Sequence, residues 1–505
     1  MIALEACYYL LQQSTTMNYL FLCIALLIST LLSAQLNHYS GKRALDNNTT
    51  GVQNTALGND VLRNNQSGSY NTATGAGAMF YNQSGKSNTA IGYQSLYKNN
   101  SGTENVAVGA NALNSNNSGN YNTGIGTYAL GFNINGTNNT AAGYHALMSN
   151  TEASANTAFG AFALQSNTKG DNNVALGYYA LYNNTVGICN VSLGTNALGN
   201  NLSGSYNVSS GYETMMKNKS GNYNLAMGSK ALHTNLNGSR NVALGYLSMF
   251  KNISGLENTA LGNKSLYTNS SGDYNLALGA QSMRENKTGN ENVAIGYKAL
   301  EQNTAGNKNT ALGYKAYAMG YAYGNSTAIG ANSQVSASNQ MRFGDELVTS
   351  IGGKVSWSKV SDRRFKINIQ KDVPGLLFIN RLEPVSYYLD NKKLRAFQGR
   401  SSSDSVQENY TKETGFLAQQ VEQVAQAIGF EFSGVDRPAS AQDHYALRYA
   451  DFTVPLVKAV QELSAENETL KAKIEALEQD NKRLLALEKE VAAIKALLGT
   501  QAQRD

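Results

Sequence analysis

The sequence predicts a mainly β protein: a β-solenoid or β-roll body of 17-residue repeats, a small α+β domain, and a C-terminal coiled-coil helix. Glycine recurs every 17 residues through the first two thirds of the chain, and a charged, non-repetitive segment follows it. Near the C-terminus, apolar residues recur at alternating intervals of three and four. A fixed period is typical of stacked repeats, and three-four spacing is typical of helices that coil together.

The glycines of the body mark eighteen repeats, from Gly41 to Gly330, without an insertion or deletion. Asparagine lies four residues before each glycine from Asn37 to Asn309, and seven residues after each glycine from Asn48 to Asn303. A second glycine follows ten residues after the first from Gly51 to Gly306, with Ala153 as the one exception. Disordered low-complexity chain is the alternative, but a coil has no need of so constant a register.

Short alternating segments such as Thr55–Leu57 and Val174–Leu176 predict one β-strand per rung of the solenoid. Both glycines of a repeat are expected at corners with positive φ. Asparagine side chains stacked in register are expected to form ladders, because each amide can bond the rungs above and below it. At about 4.8 Å per rung, the body would be about 85 Å long.

Each repeat offers little apolar surface, chiefly one Leu or Met and one alternating aliphatic residue. A single chain would therefore bury little, and we expect several chains to share one axis. The segment from Asn325 to Ala337 resembles the head repeats of trimeric autotransporter adhesins, which are trimeric left-handed β-rolls with a shorter repeat. The resemblance implies a homotrimer.

The stretch from Met17 to Ala34 is an apolar run that ends in small residues, and it predicts a secretory signal peptide. Either Met1 or Met17 is the start. An uncleaved membrane anchor is the alternative, although the run is shorter than the roughly 20 residues that a span needs. Cys189 is the one cysteine beyond this leader, so we expect neither an intrachain disulfide nor a zinc site.

The body ends in a non-repetitive neck, after which Ser361 opens the run Ser-Asp-Arg-Arg-Phe-Lys. Three further blocks follow, Leu382–Val385, Gly415–Glu422 and Leu447–Phe452, with a polar stretch between the first two that predicts a loop. In order and rough spacing, the four blocks resemble the C-terminal intramolecular chaperone domain of phage endosialidase tailspikes, also met in bacterial tail fibre domain proteins. The resemblance covers roughly 361–465.

That resemblance implies a tail that helps the fibre to trimerise and then cuts itself off between Val360 and Ser361. The implied chemistry is a Ser–Lys dyad, in which a neutral Lys366 takes the hydroxyl proton and Ser361 attacks the preceding carbonyl. Such an enzyme would be a single-turnover, autoproteolytic serine endopeptidase without a multiple-turnover activity. Lys366 must be desolvated or crowded by like charge, which Arg363 and Arg364 can supply.

The spacing of Ser361 and Lys366 does not suit a regular element. Five residues turn roughly 500° on a helix, and an odd offset on a strand puts the two side chains on opposite faces. Either a turn intervenes, or the serine of one protomer meets the lysine of another. The structural alternative is that Ser361 or Asp362 caps a short element and the basic residues form a solvated face.

The chain after Pro455 predicts one long helix with a heptad seam, which slips by three residues after Leu484. The alternative is a solvated single helix. The seam residues are Val460, Leu463, Asn467, Leu470, Ile474, Leu477, Asn481, Leu484, Leu487, Val491, Ile494 and Leu498. The predicted segments are a leader (1–34) with the signal peptide (17–34), the repeat body (35–337), a neck (338–360), the chaperone domain (361–455) and the coiled coil (456–498).

These features predict a secreted or cell-surface homotrimeric fibre or adhesin whose C-terminal domain is a trimerisation chaperone that cleaves before Ser361. A net charge of +5 gives no reason to expect nucleic acid as a partner. A membrane is a partner only if the leader is retained, and a surface glycan or receptor is a further candidate. No metal or cofactor site is expected.

The second hypothesis is a polysaccharide-degrading, tailspike-like enzyme that carries the same tail. Glycosidases need two carboxylates within roughly 5–10 Å. Only eleven acidic residues lie between Gly41 and Gly313, and Asp273 with Glu291 is a pair at nearly equal positions in adjacent rungs. Tyrosines that follow the corner glycine, such as Tyr93 and Tyr178, either form a sugar-stacking stripe or cover the backbone of the roll.

Overall fold

The computed structural model divides the chain into two compact units, Met1–Val348 and Thr349–Asp505. The predicted signal peptide (17–34) lies outside the described residues, and the finer domain borders stay predictions. No helix in the described part of the chain is both long and apolar enough to cross a membrane. The residues that the structure describes are 37–317, 322–355, 357–397, 411–440 and 443–501.

The first unit is a β-solenoid in which nineteen short strands form one parallel sheet. The strands are β1 His38–Ser40, β2 Thr55–Leu57, β3 Thr72–Thr74, β4 Thr89–Ile91, β5 Val106–Val108, β6 Thr123–Ile125, β7 Thr140–Ala142, β8 Thr157–Phe159, β9 Val174–Leu176, β10 Val191–Leu193, β11 Val208–Ser210, β12 Leu225–Met227, β13 Val242–Leu244, β14 Thr259–Leu261, β15 Leu276–Leu278, β16 Val293–Ile295, β17 Thr310–Leu312, β18 Thr327–Ile329 and β19 Met341–Phe343. The predicted strand in each rung is confirmed.

The register of the sheet follows the sequence period. Val174 pairs with Val191, one 17-residue repeat further along the chain, and the same offset relates Thr310 to Thr327. The sequence offset of the last pairing is shorter, since Thr327 pairs with Met341. The loop of the final rung is therefore shorter than those of the other rungs. A constant offset brings identical positions of successive repeats into columns along the solenoid.

The glycines of each repeat have two different roles. The first one has positive φ as expected, for example 137° at Gly177. The expectation of positive φ at the second glycine is wrong: such residues as Gly187 do not have it. At Gly187, an added Cβ atom would lie 2.3 Å from the Gly204 carbonyl oxygen and 2.4 Å from Asn184 Oδ1. The second glycine is therefore required by close packing rather than by backbone conformation.

The interior of the solenoid consists of small and aliphatic side chains together with two asparagine ladders. Ala175 and Leu181 are fully buried, and the same is true of Asn173 and Asn184. Asn173 donates its side-chain amide to Asn156 Oδ1 at 3.2 Å and to the Gly187 carbonyl at 2.9 Å. Both predicted ladders are present, and they satisfy amides that burial would otherwise make costly.

The second unit is a small α/β region followed by a long helix. Its elements are a 3-10 turn Arg363–Phe365, α1 Leu376–Ile379, β20 Val385–Tyr388, α2 Asn391–Phe397, β21 Lys412–Gly415, α3 Ala418–Ala427, β22 Val435–Asp436, β23 Ala446–Leu447, a 3-10 turn Tyr449–Phe452 and α4 Thr453–Gln501. Strands β20 and β21 pair antiparallel, as do β22 and β23. The polar stretch between the second and third sequence blocks, predicted as a loop, begins with helix α2 instead.

Phe378, Val421 and Phe452 form the buried centre of this unit. The beginning of α4 belongs to the same packing: Ala459 is buried, and Glu462 Oε2 accepts the Leu376 backbone N–H at 2.8 Å. This contact satisfies a free donor at the start of α1. The predicted fold class, a 17-residue-repeat β-solenoid followed by a small α/β region and a long helix, is confirmed.

Candidate functional site

Ser361 and Lys366 lie side by side in the second unit. Lys366 Nζ donates a hydrogen bond to Ser361 Oγ at 2.8 Å. A 3-10 turn, Arg363–Phe365, lies between them and folds the chain back within one protomer. Of the two arrangements that the spacing allowed, the structure has the intervening turn. The distance is short enough for direct proton transfer between oxygen and nitrogen.

Asp362 and Arg364 hold this turn. Asp362 Oδ1 accepts the backbone N–H of Arg364 at 2.9 Å, which is an N-cap. Its second oxygen, Oδ2, accepts Nε and Nη2 of the Arg364 guanidinium at 2.9 and 2.6 Å. The side-chain hydrogen bonds from Arg364, and then the backbone bond, hold the pKa of Asp362 below its ordinary value. The expected capping role of Asp362 is therefore real, and it coexists with the Ser361–Lys366 contact.

The junction is open to solvent in the single chain. The side chains of Ser361 and Lys366 are exposed. Val360, the residue before the predicted cleavage bond, is 80% exposed, and Phe365 and Ile367 are 73% and 85% exposed. Lys359 Nζ lies 3.9 Å from Asp451 Oδ1, a loose ion pair beside the same segment. Several large apolar side chains near the dyad thus contact little within their own chain.

The third and fourth sequence blocks contact each other. The Tyr449 hydroxyl accepts the backbone N–H of Phe416 at 3.1 Å. On α3, Glu422 accepts hydrogen bonds from Arg437 Nε and, at 2.9 Å, from the Tyr445 hydroxyl. The pKa of Glu422 is lowered chiefly by the hydrogen bond from Arg437 and next by the hydrogen bond from Tyr445.

The solenoid offers little to the hypothesis of a polysaccharide-degrading enzyme. Asp273 Oδ1 accepts the Leu256 backbone N–H at 2.7 Å, so this carboxylate is used to join two rungs. Corner tyrosines are about half exposed, with 56% at Tyr93 and 48% at Tyr178. Within the described ranges, no group of His, Cys, Asp and Glu side chains has an arrangement that could hold a metal ion.

The pairing of Asp362 with Arg364 was not predicted from the sequence, which suggested a like-charge role for the arginine. An acidic residue two positions before a basic one was the available signal, but this spacing is common on surfaces. The Glu422, Arg437 and Tyr445 cluster was also missed. Its members lie on different elements, so no local pattern relates them.

Residues 361–430 match the model of a protein family described as the chaperone of endosialidase. The matched range begins at Ser361 and includes Lys366, together with the second and third sequence blocks; the fourth block lies beyond its end. No curated protein matches the chain. The chain therefore combines a β-solenoid of stacked repeats with a C-terminal chaperone-of-endosialidase domain, an organisation that fits a tail fibre.

Proposed function

We propose that this protein is a secreted or cell-surface homotrimeric fibre or adhesin whose C-terminal domain assists trimerisation and then cuts the chain before Ser361. The observation that carries the proposal is the 2.8 Å contact between Lys366 Nζ and Ser361 Oγ at the first residue of the family match. A surface glycan or receptor is the expected ligand of the released body.

The cleavage step needs a neutral lysine. Ser361 Oγ–H then donates its proton to Lys366 Nζ while the oxygen attacks the carbonyl carbon of Val360. The C–N bond breaks, the amine of Ser361 takes up a proton, and an ester between Val360 and the serine oxygen remains. Water hydrolyses this ester, which gives a carboxylate at Val360 and restores the hydroxyl of Ser361. No cofactor is needed.

Assembly is the step that we expect to switch on this chemistry. Removing an amine from water favours its neutral form. In the single chain Lys366 is exposed, and so are the apolar neighbours Phe365 and Ile367. Burial of these side chains between protomers would desolvate the lysine, so the dyad would become active only after trimerisation.

The long helix α4 supports a trimer because its apolar seam lies uncovered. Leu470, Ile474 and Leu477 are 54%, 55% and 67% exposed. A single solvated helix of 49 residues gains no burial from such a seam, whereas parallel copies cover it. Asn467 and Asn481 lie within the seam, where a buried asparagine fixes the register of the paired helices and lowers the stability of the coiled coil.

A denaturing gel of freshly expressed protein tests the cleavage. Wild type should give two fragments that meet between Val360 and Ser361, while Ser361→Ala and Lys366→Met should each give one intact chain. Sedimentation should show that the uncut variants are trimers, because the substitutions leave the seam of α4 unchanged. A wild-type chain that forms trimers and stays intact would contradict the cleavage, and a folded monomer would contradict the trimer.

A further inference from the structure

The strands of the solenoid present one outward face along almost the whole body. In each strand from β2 to β18 the central residue is buried, and the first and third residues lie on the outward side. In β9, for example, Ala175 is fully buried, while Leu176 is 41% exposed and Val174 is partly exposed. Because the register is constant, these outward residues form two adjacent columns that run from β2 to β18.

This outward face carries no charge. In every strand from Thr55–Leu57 to Thr327–Ile329, neither the first nor the third residue is charged. The third residue is apolar in all of them except at Thr74 and Ser210. Charged side chains lie elsewhere on the rungs, where they pair between neighbours, as Arg240 Nη1 does with Glu257 Oε1 at 3.0 Å.

Contact with solvent does not explain why this outward face lacks charged side chains. The fully buried centre of a protein interface is depleted of charge and more apolar than the rest of the surface, and a large contiguous exposed apolar patch marks a contact surface. Parallel sheets are also usually covered on both sides. In this solenoid the inner side of the sheet packs on Leu181 and its equivalents, whereas the outer side stays partly exposed among the residues that the structure describes.

The size and uniformity of the face indicate what covers it. The face extends over strands β2–β18 at about 4.8 Å per rung, and each strand is about 10 Å long. The area of the face is therefore about 800 Å² per chain. A stable interface buries about 800 Å² per partner. A ligand would need a local site, whereas this surface repeats on every rung. A second copy of the solenoid has the same length and the same rise per rung, so each of its rungs can lie opposite a rung of the first copy.

We propose that the outward face of strands β2–β18 is the surface through which copies of this chain pack against one another along the body. The inference rests on the proposed trimer and names the part of the solenoid that faces the common axis. It also leaves the charged columns and loop sides of each rung as the outer surface of the fibre.

Thiol reactivity in the full chain tests this assignment. Cys189→Ser removes the natural thiol in the described body, and Leu176→Cys then places one on the proposed interface. Leu202→Cys is the matched control, because Leu202 is 44% exposed in the single chain, close to the 41% of Leu176, but does not belong to a strand. We expect a small maleimide to react at least tenfold more slowly with Leu176→Cys in the native protein, and equally fast with both after denaturation.

Charge insertion gives a second measurement. Leu176→Glu with Leu193→Glu should lower the thermal midpoint of the assembled body, because the carboxylates would be buried between chains. The control pair, Leu202→Glu with Leu236→Glu, has similar exposure in the single chain and should leave the midpoint nearly unchanged.

Sedimentation of the same samples separates the possible failures. Equal maleimide rates at both positions in a protein that sediments as a trimer would overturn the interface and leave the trimer intact. Equal rates in a folded monomer would overturn the proposed trimer as well. A slow Leu176→Cys reaction in a trimer, together with the selective effect of the Leu176 and Leu193 charges, supports the assignment.

Discussion

Asn190 is bonded to Asn173 through both its backbone and its side chain. Its backbone N–H and its side-chain amide donate to Asn173 Oδ1 at 2.9 and 3.1 Å. One oxygen atom therefore holds two groups of the next rung, and the same arrangement repeats along the column. The ladder joins the rungs at a buried position where water cannot replace a lost partner.

Replacing Asn173 by Leu should destabilise the body by about 1–3 kcal/mol per chain, because buried donors of Asn190 lose their acceptor. Urea unfolding followed by circular dichroism measures the change. Asn100→Leu is the matched control, since Asn100 is exposed and its column already contains a leucine at Leu202. Equal stability of the two variants would mean that the ladder contributes nothing.

Ala153→Gly should stabilise the protein. Near this residue, the amide of Asn167 lies 3.4 Å from Asn150 Oδ1, whereas the preceding pair, Asn150 and Asn133, is at 2.6 Å. Relief of overpacking is worth roughly 1–3 kcal/mol, and the added flexibility of glycine costs about 0.4–1 kcal/mol. We expect a net gain of about 1 kcal/mol, measured by urea unfolding. A loss would show that the loosened ladder has another cause.

Arg364→Ala should slow self-cleavage about tenfold. The reason is that Arg364 fixes Asp362, and with it the turn that brings Lys366 to Ser361. Arg363→Ala is the control, because it removes a charge from the same turn without removing the bonds to Asp362. A time course on denaturing gels distinguishes them. Equal slowing by both variants would favour a like-charge role for the arginines.

Leu470→Asp combined with Leu477→Asp should prevent both assembly and cutting. The carboxylates would lie in the predicted seam, where an unpaired charge is strongly disfavoured. Ala472→Asp with Gln479→Asp introduces the same charges on the opposite side of the predicted heptad and should have little effect. Sedimentation and a denaturing gel report the two outcomes. Efficient cutting in a monomeric seam variant would show that the dyad works within one chain.

Glu422→Gln should make the second unit less sensitive to acid. The hydrogen bonds from Arg437 and Tyr445 hold the pKa of Glu422 below the ordinary value of a glutamate. The stability that they provide is present above this ordinary value and is lost as the pH falls through the folded-state pKa. Urea unfolding between pH 6 and 3 should show a shallower decline in the variant than in the wild type. The exposed Glu431→Gln should behave like the wild type.

The sequence period was enough to predict the solenoid, because stacking in constant register requires equal repeats. It did not predict residues such as Leu181, which has φ of 50° although leucine usually avoids positive values. Its backbone N–H donates to the Ala197 carbonyl of the next rung at 3.0 Å. A conformation that neighbouring rungs stabilise cannot be inferred from the propensity of one residue.

At the junction, the sequence predicted which residues matter but not how they meet. The offset of five positions allowed a turn or an intermolecular contact, and the deciding detail was the bond between Asp362 and Arg364. Helix α2 was missed because its polar composition, with Asn391 and Lys392, suits a loop equally well. Polar segments without periodicity give few signals, since no buried face constrains them.

The constant register of the body has a consequence for how its length can evolve. Adding or removing 17 residues inside the body shifts every later position by one whole repeat. The rungs on either side of such a change would keep the same columns, ladders and glycines. The body can therefore be lengthened or shortened by whole rungs while the C-terminal domain stays as it is.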